Sequence, residues 1–339
     1  MLAAVLTELN KPLQLRQVET TELTSGQVRV RVIVSGICGS QLHEISGAKG
    51  NARFLPHLLG HEGCGVVEDL GPGVSELSIG DKVVMHWRPG RGMESDFPKY
   101  TMNKHVFTSG KVNTFTEYAV VSENRLTKVP QDTNPELAAL LGCSMTTALG
   151  LIENESNLKF GESVLVLGCG GVGLNVISAS RLRGAGLIVG YDSQNSKKTI
   201  VLKQGADQFY SSKSEIAQEF DVIVDTTGNV ELIGWSFDHL SGQGRLILVG
   251  QPKPDESLVF PNALRFFNGS GLKVRATQGG GFTPTSDIPR YLKLFDAKHL
   301  SIDNLITHRF TLEKINEAFD TLVTGEAGRI MIQIGEDIK

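Results

Sequence analysis

The chain has 339 residues and a formal net charge of -4, a balance that gives no general attraction to nucleic acid or acidic membranes, which would need a concentrated basic face. That length exceeds one ordinary core, so two domains are expected. Four cysteines, Cys38, Cys64, Cys143 and Cys169, are too few and too scattered for a secreted disulfide framework. The opening Met-Leu-Ala-Ala-Val-Leu run has no basic leader and soon meets Glu8, and no apolar run approaches the roughly 20 residues of a membrane helix. These features point to a cytoplasmic protein with reduced thiols that has neither nucleic acid nor membrane as a partner.

Val28, Val30, Val32 and Val34 alternate with Arg29, Arg31 and Ile33 before Gly36, the period of a β-strand, so Cys38 falls just past a strand end. Val66-Val67, Lys82-Val-Val84 and Glu117-Tyr-Ala-Val-Val121 continue the β pattern without regular helices between them. Residues 88–111 read as a polar loop in which Arg88, Arg91, Lys99, Lys104 and Lys111 outnumber Glu94 and Asp96. Such a stretch is either a solvated loop or a lobe facing a polar substrate, with His86 and Trp87 at its base. A helix that begins at Pro135 carries Leu137, Leu140 and Leu141 on one side and delivers Cys143.

The pattern then changes. Ser163-Val-Leu-Val-Leu167 is a buried-type strand, followed by Gly168-Cys-Gly-Gly-Val-Gly173 and by Leu174, Ile177 and Leu182 at helical spacing. Further strands at Leu187-Ile-Val-Gly-Tyr191, Asp221-Val-Ile-Val-Asp225 and Arg245-Leu-Ile-Leu-Val-Gly250 alternate with helix-length segments, which is the signature of a doubly wound parallel sheet. Near the end, Leu312, Ile315, Phe319 and Leu322 form a helix face, Gly325 stops it, and Arg329 to Ile334 closes as a strand.

Two motifs carry chemistry. His61, in Gly60-His-Glu-Gly-Cys-Gly65, shares the chain with Cys38 and Cys143. Two soft thiolates and one imidazole suit zinc, and three protein ligands leave a position open, as a catalytic ion requires. In the second motif Gly168 allows a tight turn, Gly170 and Gly171 let a pyrophosphate approach the backbone, and Gly173 lets the helix pack on the strand. Asp192 lies 19 residues past Gly173, where an acid accepts both ribose hydroxyls and repels a 2′-phosphate, so NAD is favoured over NADP. Lys197 and Lys198 nearby temper that preference.

With these residues in view, the chain resembles the medium-chain, zinc-dependent alcohol dehydrogenase family over nearly its whole length, most specifically in Gly60-His-Glu, Gly65, Gly71 and Val74. The resemblance implies an α/β protein: a GroES-like, partly open β-barrel catalytic domain (1–144 and 279–339) interrupted by a Rossmann cofactor domain (145–278). It implies reversible hydride transfer between NAD(H) and an alcohol or ketone. Cys38, His61 and Cys143 match the zinc ligands, and Glu62 the acid beside the metal. Ser40 and His43 match a hydroxyl and an imidazole that relay the substrate proton. Thr147 and Val172 match residues pressing on the nicotinamide, Arg329 an arginine near the pyrophosphate, and Trp87 an aromatic wall of the substrate pocket. A homodimer or homotetramer is expected.

Two departures stand out. Residues 88–112 contain no cysteine, so the family's second, structural zinc on four thiolates is not expected. Gln41 stands where the family has an aspartate that hydrogen-bonds the zinc-bound histidine; a glutamine is expected to accept that bond without adding negative charge. His86, Arg88 and the basic stretch favour a polar secondary alcohol such as a polyol, cyclitol or sugar derivative. A primary alcohol or hydroxymethyl-thiol, a zinc-free reductase, and a non-catalytic nucleotide-binding scaffold are the alternatives.

Overall fold

The computed structural model describes residues 1–48, 50, 55–267 and 271–337. The chain forms two compact units, one of Met1–Thr146, Thr283–Lys293 and Ile306–Lys339, the other of Thr147–Phe282 and Leu294–Leu305.

The first unit is built on the strand Gln27–Ile37, which pairs with Glu62–Leu70, Tyr118–Ser122 and Arg329–Gln333. Its valines at 28, 30 and 32 are buried with Val67, Val83, Met85 and Val121. The intervening Arg29 and Arg31 reach outward to Asp69 at 3.0 Å and Glu68 at 3.4 Å, so the period-2 pattern is expressed as core against ion-paired surface. A second core gathers Ile37, Phe115, Ile315, Phe319, Ile330 and Ile332; Phe115 and Phe319 meet edge to face at 6.0 Å. Glu62–Leu70 continues the sheet to Lys82–His86 and Leu126–Lys128.

The stretch 88–111 is not the plain solvated loop that its lysines suggest. Lys99–Met102 and His105–Thr108 pair as a hairpin, with Asn103 and Lys104 both at positive φ (50° and 65°) in its two-residue turn. Tyr100 and Phe107 point inward, and the Tyr100 hydroxyl donates to Asn113 Oδ1 at 2.6 Å. Glu94 holds Lys111 at 2.8 Å and accepts from Asn124 Nδ2 at 2.8 Å, while Glu123 accepts from the backbone of Ser75, Glu76 and Met93. Glu94, one of the two acids outnumbered in this stretch, and Glu123 beyond its end anchor the region.

The second unit is a six-stranded parallel sheet in the order Gln208–Tyr210, Leu187–Tyr191, Ser163–Leu167, Phe220–Asp225, Leu240–Leu248, Lys273–Ala276. Numbered along the chain this is 3-2-1-4-5-6, the dinucleotide-binding order, whose direction reverses between the first and fourth strands and opens a crevice at their carboxyl ends. Val164 to Leu167 are fully buried because helices cover both faces of such a sheet, which is why this segment reads as an uninterrupted apolar run. Among the described residues no helix is long and apolar enough to cross a membrane.

Candidate metal centre and cofactor turn

Three separate turns bring the metal-capable side chains together. Cys38 follows the strand Gln27–Ile37 and precedes the short helix Ser40–Ile45. His61 leads into the strand Glu62–Leu70. The helix starting at Pro135 stops at Leu140, so Cys143 is not carried on it but sits in the turn before a second helix, Ser144–Gly150. Gly142 makes that turn possible: a Cβ there would lie 2.3 Å from the Met85 carbonyl oxygen. The backbone therefore closes tightly enough to aim Cys143 at its partners. One ligand atom from each of Cys38, His61 and Cys143 lies within 4.8 Å of the others, close enough for the three to converge on one ion, and two thiolates with an imidazole are a donor set that suits zinc. A hydrogen bond from Cys143 holds the Cys38 thiol well below its usual pKa against the opposing effect of burial, with His61 and Arg329 adding to the effect; thiolate character is what a metal ligand needs.

Behind this trio lies a buried ion pair. Glu62 accepts from the Ser144 backbone at 3.0 Å through Oε2 and pairs through Oε1 with the Arg329 guanidinium. Pairing of Ile330 with Ile37 places Arg329 beside Cys38, and burial lowers the Arg329 pKa while the Cys38 sulfur opposes that shift. Arg329 is thus enclosed by Glu62 and Cys38, partners that a reading of it as a pyrophosphate ligand did not anticipate. Ser40 and His43 are one turn apart on the helix Ser40–Ile45. The Ser40 Oγ is shielded from solvent and has no hydrogen-bond partner, an uncompensated hydroxyl of the kind found where a substrate supplies the missing bond.

Gln41 departs from expectation. Its Oε1 accepts from Cys38 N at 2.7 Å, and its Nε2 lies 3.1 Å from His61 Nδ1. The amide therefore donates to the imidazole rather than accepting from it, because its oxygen is already committed to a backbone N–H.

His86 is also placed differently. It is fully buried, with Nδ1 2.7 Å from the Arg88 carbonyl and Nε2 2.9 Å from Thr127 Oγ1. Both ring nitrogens are spent, so His86 has none to offer a substrate and is a structural tie at the end of its strand. Burial, opposed by the bond to Arg88, lowers its pKa to about 4. The unfolded chain binds this proton near pH ~6.5, well before the folded protein does, so stability rises with pH across that window and is lost as pH falls through it. The loss amounts to about 3 kcal/mol between pH ~6.5 and ~4. Urea unfolding at pH 7 and pH 5 should show about 2 kcal/mol of it, and His86→Gln should flatten the difference. Trp87 is half-buried, its carbonyl accepts from Arg125, and its ring lies 6.0 Å from the Arg88 guanidinium.

In the second unit, Gly168 turns at φ +84° after the strand Ser163–Leu167, and Gly170 precedes the helix Gly171–Leu182. A Cβ on Gly173 would lie 1.9 Å from the Gly168 carbonyl oxygen, whereas one on Gly170 would meet nothing within 4 Å. The first glycine is required by the fold; the second leaves free space over a helix N-terminus that suits a pyrophosphate. Val172 stands in the first turn of that helix, and Thr147 is buried on the helix that follows Cys143. Asp192 accepts from Cys169 N at 2.8 Å, Gln194 N at 3.0 Å and Lys197 Nζ at 3.2 Å. Sequence reasoning did not reach the neighbouring turn, Asp225-Thr-Thr-Gly228. There Thr226 Oγ1 donates to the carbonyls of Leu167 and Gly168, and Asp225 accepts from Thr227 and Gly228. A hydroxyl and a carboxylate at the end of the fourth strand were the available signal.

A sheet in dinucleotide-binding order and a Cys-His-Cys cluster on one chain define a zinc- and nicotinamide-dependent oxidoreductase. Residues 24–131 match the alcohol dehydrogenase GroES-like domain and residues 171–297 the zinc-binding dehydrogenase domain. Alcohol dehydrogenase 2 of Oryza sativa subsp. japonica is 30% identical over 373 residues, covering 98% of this chain and 97% of the relative. S-(hydroxymethyl)glutathione dehydrogenase of Paracoccus denitrificans is 30% identical over 374 residues, covering 97% and 98%. The structure of an alcohol dehydrogenase zinc-binding domain protein from Burkholderia ambifaria is similar at TM-score 0.90 and 25% identity over 99% of both chains. Benzyl alcohol dehydrogenase from Acinetobacter calcoaceticus, at TM-score 0.88 and 24% identity over 98% of this chain and 99% of its own, shares the fold. The chain belongs to the medium-chain, zinc-dependent alcohol dehydrogenase family.

Proposed function

We propose that the protein transfers a hydride reversibly between NAD(H) and a polar secondary alcohol or its ketone. The observation that carries the reading is the convergence of Cys38, His61 and Cys143 within 4.8 Å, which residues of a non-catalytic scaffold would have no reason to maintain. A bound zinc supplies the Lewis acidity that makes an alcohol proton acidic near neutral pH. Ser40 takes that proton at its unpartnered Oγ, and His43, one turn along the same helix, passes it outward. Glu62, fixed by Ser144 and paired with Arg329, forms with that guanidinium a buried ion pair next to His61 and Cys38. Residues 145–278 are read as the cofactor domain and 1–144 with 279–339 as the catalytic domain, which the unit Thr147–Phe282 supports, although Leu294–Leu305 also packs with that unit.

The coenzyme rests on Gly168, Gly170, Gly171 and Gly173, with Val172 and Thr147 at the nicotinamide. The Asp192 carboxylate supports NAD over NADP, moderated by its ion pair with Lys197. The Arg88 guanidinium beside Trp87 supports a polar substrate. A primary alcohol or hydroxymethyl-thiol is the second reading, favoured by the 30% identity to the Paracoccus enzyme. The network of Glu94, Lys111 and Asn124 supports a lobe that stands without a structural zinc. The edge strand Lys273–Ala276, together with exposed Val259, Leu264 and Phe267, supports assembly into a homodimer or homotetramer, and a cytoplasmic location is expected.

A panel of alcohols and ketones assayed with NAD and NADP by nicotinamide absorbance tests the reading. Polyols or their ketones turned over with NAD and about one zinc per chain would support it. Preference for primary alcohols moves the assignment to the second reading, and a chain without zinc or turnover refutes both. Light scattering of the same preparation tests the assembly; a monomer would count against it.

A further inference from the structure

The orientation of the Gln41 amide follows from donor chemistry alone. A backbone N–H can only donate, so the atom 2.7 Å from Cys38 N is the amide oxygen, which leaves the NH2 group 3.1 Å from His61 Nδ1. An NH2 group also only donates, so Nδ1 presents a lone pair and the neutral ring carries its proton on Nε2. With Nδ1 engaged, Nε2 is the ring nitrogen left for a metal, and a metal needs a lone pair there.

We propose that Gln41 is a positioning residue that fixes the His61 ring proton on the metal-facing nitrogen and so holds down the affinity of the Cys38, His61 and Cys143 trio for zinc. The inference rests on the reading of that trio as a zinc site. When the ring binds through Nε2, its proton moves to Nδ1 and two N–H donors face each other across the Gln41 contact. Rotating the amide by half a turn places oxygen against Nδ1–H but turns NH2 toward Cys38 N–H. Gln41 is fully buried, so water does not relieve either arrangement, and one donor is stranded in both. A carboxylate of the same length has two acceptor oxygens, one for Cys38 N–H and one for His61 Nδ1–H. The amide thereby makes the ion easier to exchange than a carboxylate would.

The test uses the zinc-loaded protein, titrated with a chelator of known affinity, for the wild type and Gln41→Glu. The variant should hold zinc about 10- to 100-fold more tightly, the range over which outer partners of a ligating histidine act. Equal or weaker retention by a variant with an unchanged circular dichroism spectrum overturns the proposal. A second measurement needs no variant: nitrogen-15 spectra of the His61 ring in zinc-depleted wild-type protein should place the proton on Nε2, and a proton on Nδ1 overturns it. A wild type that takes up no zinc sinks the reading of the trio instead, and the ring spectrum still reports whether Gln41 sets the tautomer.

Discussion

Gly173→Ala should weaken NAD binding by roughly 10- to 100-fold, a loss of about 1.4 to 3 kcal/mol, and should destabilise the fold as well. Its Cβ would sit 1.9 Å from the Gly168 carbonyl oxygen, a backbone atom that moves only if the whole turn moves. Thr226 Oγ1 also holds that carbonyl, at 2.8 Å, so displacement breaks a bond between the first and fourth strands. Overpacking of this kind costs about 1 to 3 kcal/mol. Gly170→Ala is the informative contrast. Its Cβ meets nothing within 4 Å and its φ of -80° suits any residue, so stability should stay unchanged while the methyl group occupies the space over the helix N-terminus. Coenzyme affinity from nicotinamide fluorescence and unfolding in urea separate the two effects. A Gly170→Ala protein that binds NADH normally would mean that the pyrophosphate does not lie over this turn.

The zinc trio and the glycine turn were legible in the sequence because each depends on local chemistry. Cys38 fell at a turn after a strand, His61 beside a glycine at the edge of another and Cys143 beyond a helix, and the glycine spacing came with a buried strand before it and a helix after it. What the sequence did not disclose depends on pairings between distant residues. Arg329 lies beside Cys38 and Glu62 only because its strand pairs with Gln27–Ile37. His86 is withdrawn from substrate because Thr127, on the neighbouring strand, takes its second nitrogen. The hairpin of Lys99–Met102 and His105–Thr108 was hidden because Tyr100 and Phe107 are the inward positions in a stretch dominated by surface lysines. Gln41 illustrates the same limit at atomic scale. The residue type permits either sense of hydrogen bond to His61, and the competing Cys38 N–H decides which one forms.

Cys143→Ala should lower turnover roughly 1,000-fold, the equivalent of about 4 kcal/mol of transition-state stabilisation at 1.36 kcal/mol per tenfold. Two ligands, Cys38 and His61, would remain of the three that now lie within 4.8 Å of one another, too few to hold zinc in a four-coordinate catalytic site. The Cys38 sulfur would also lose the hydrogen bond from Cys143 that most favours its ionised form, so the residual pair would bind the ion poorly. Zinc measured by atomic absorption should fall well below one per chain. Cys64→Ala provides the control, since Cys64 is fully buried in the same unit and burial raises its thiol pKa to about 12, the state of a packing residue rather than a ligand. That variant should keep its zinc and its turnover and lose only some stability. Full turnover in Cys143→Ala would remove the metal from the reaction and leave hydride transfer without the electrophile that the trio is read as holding.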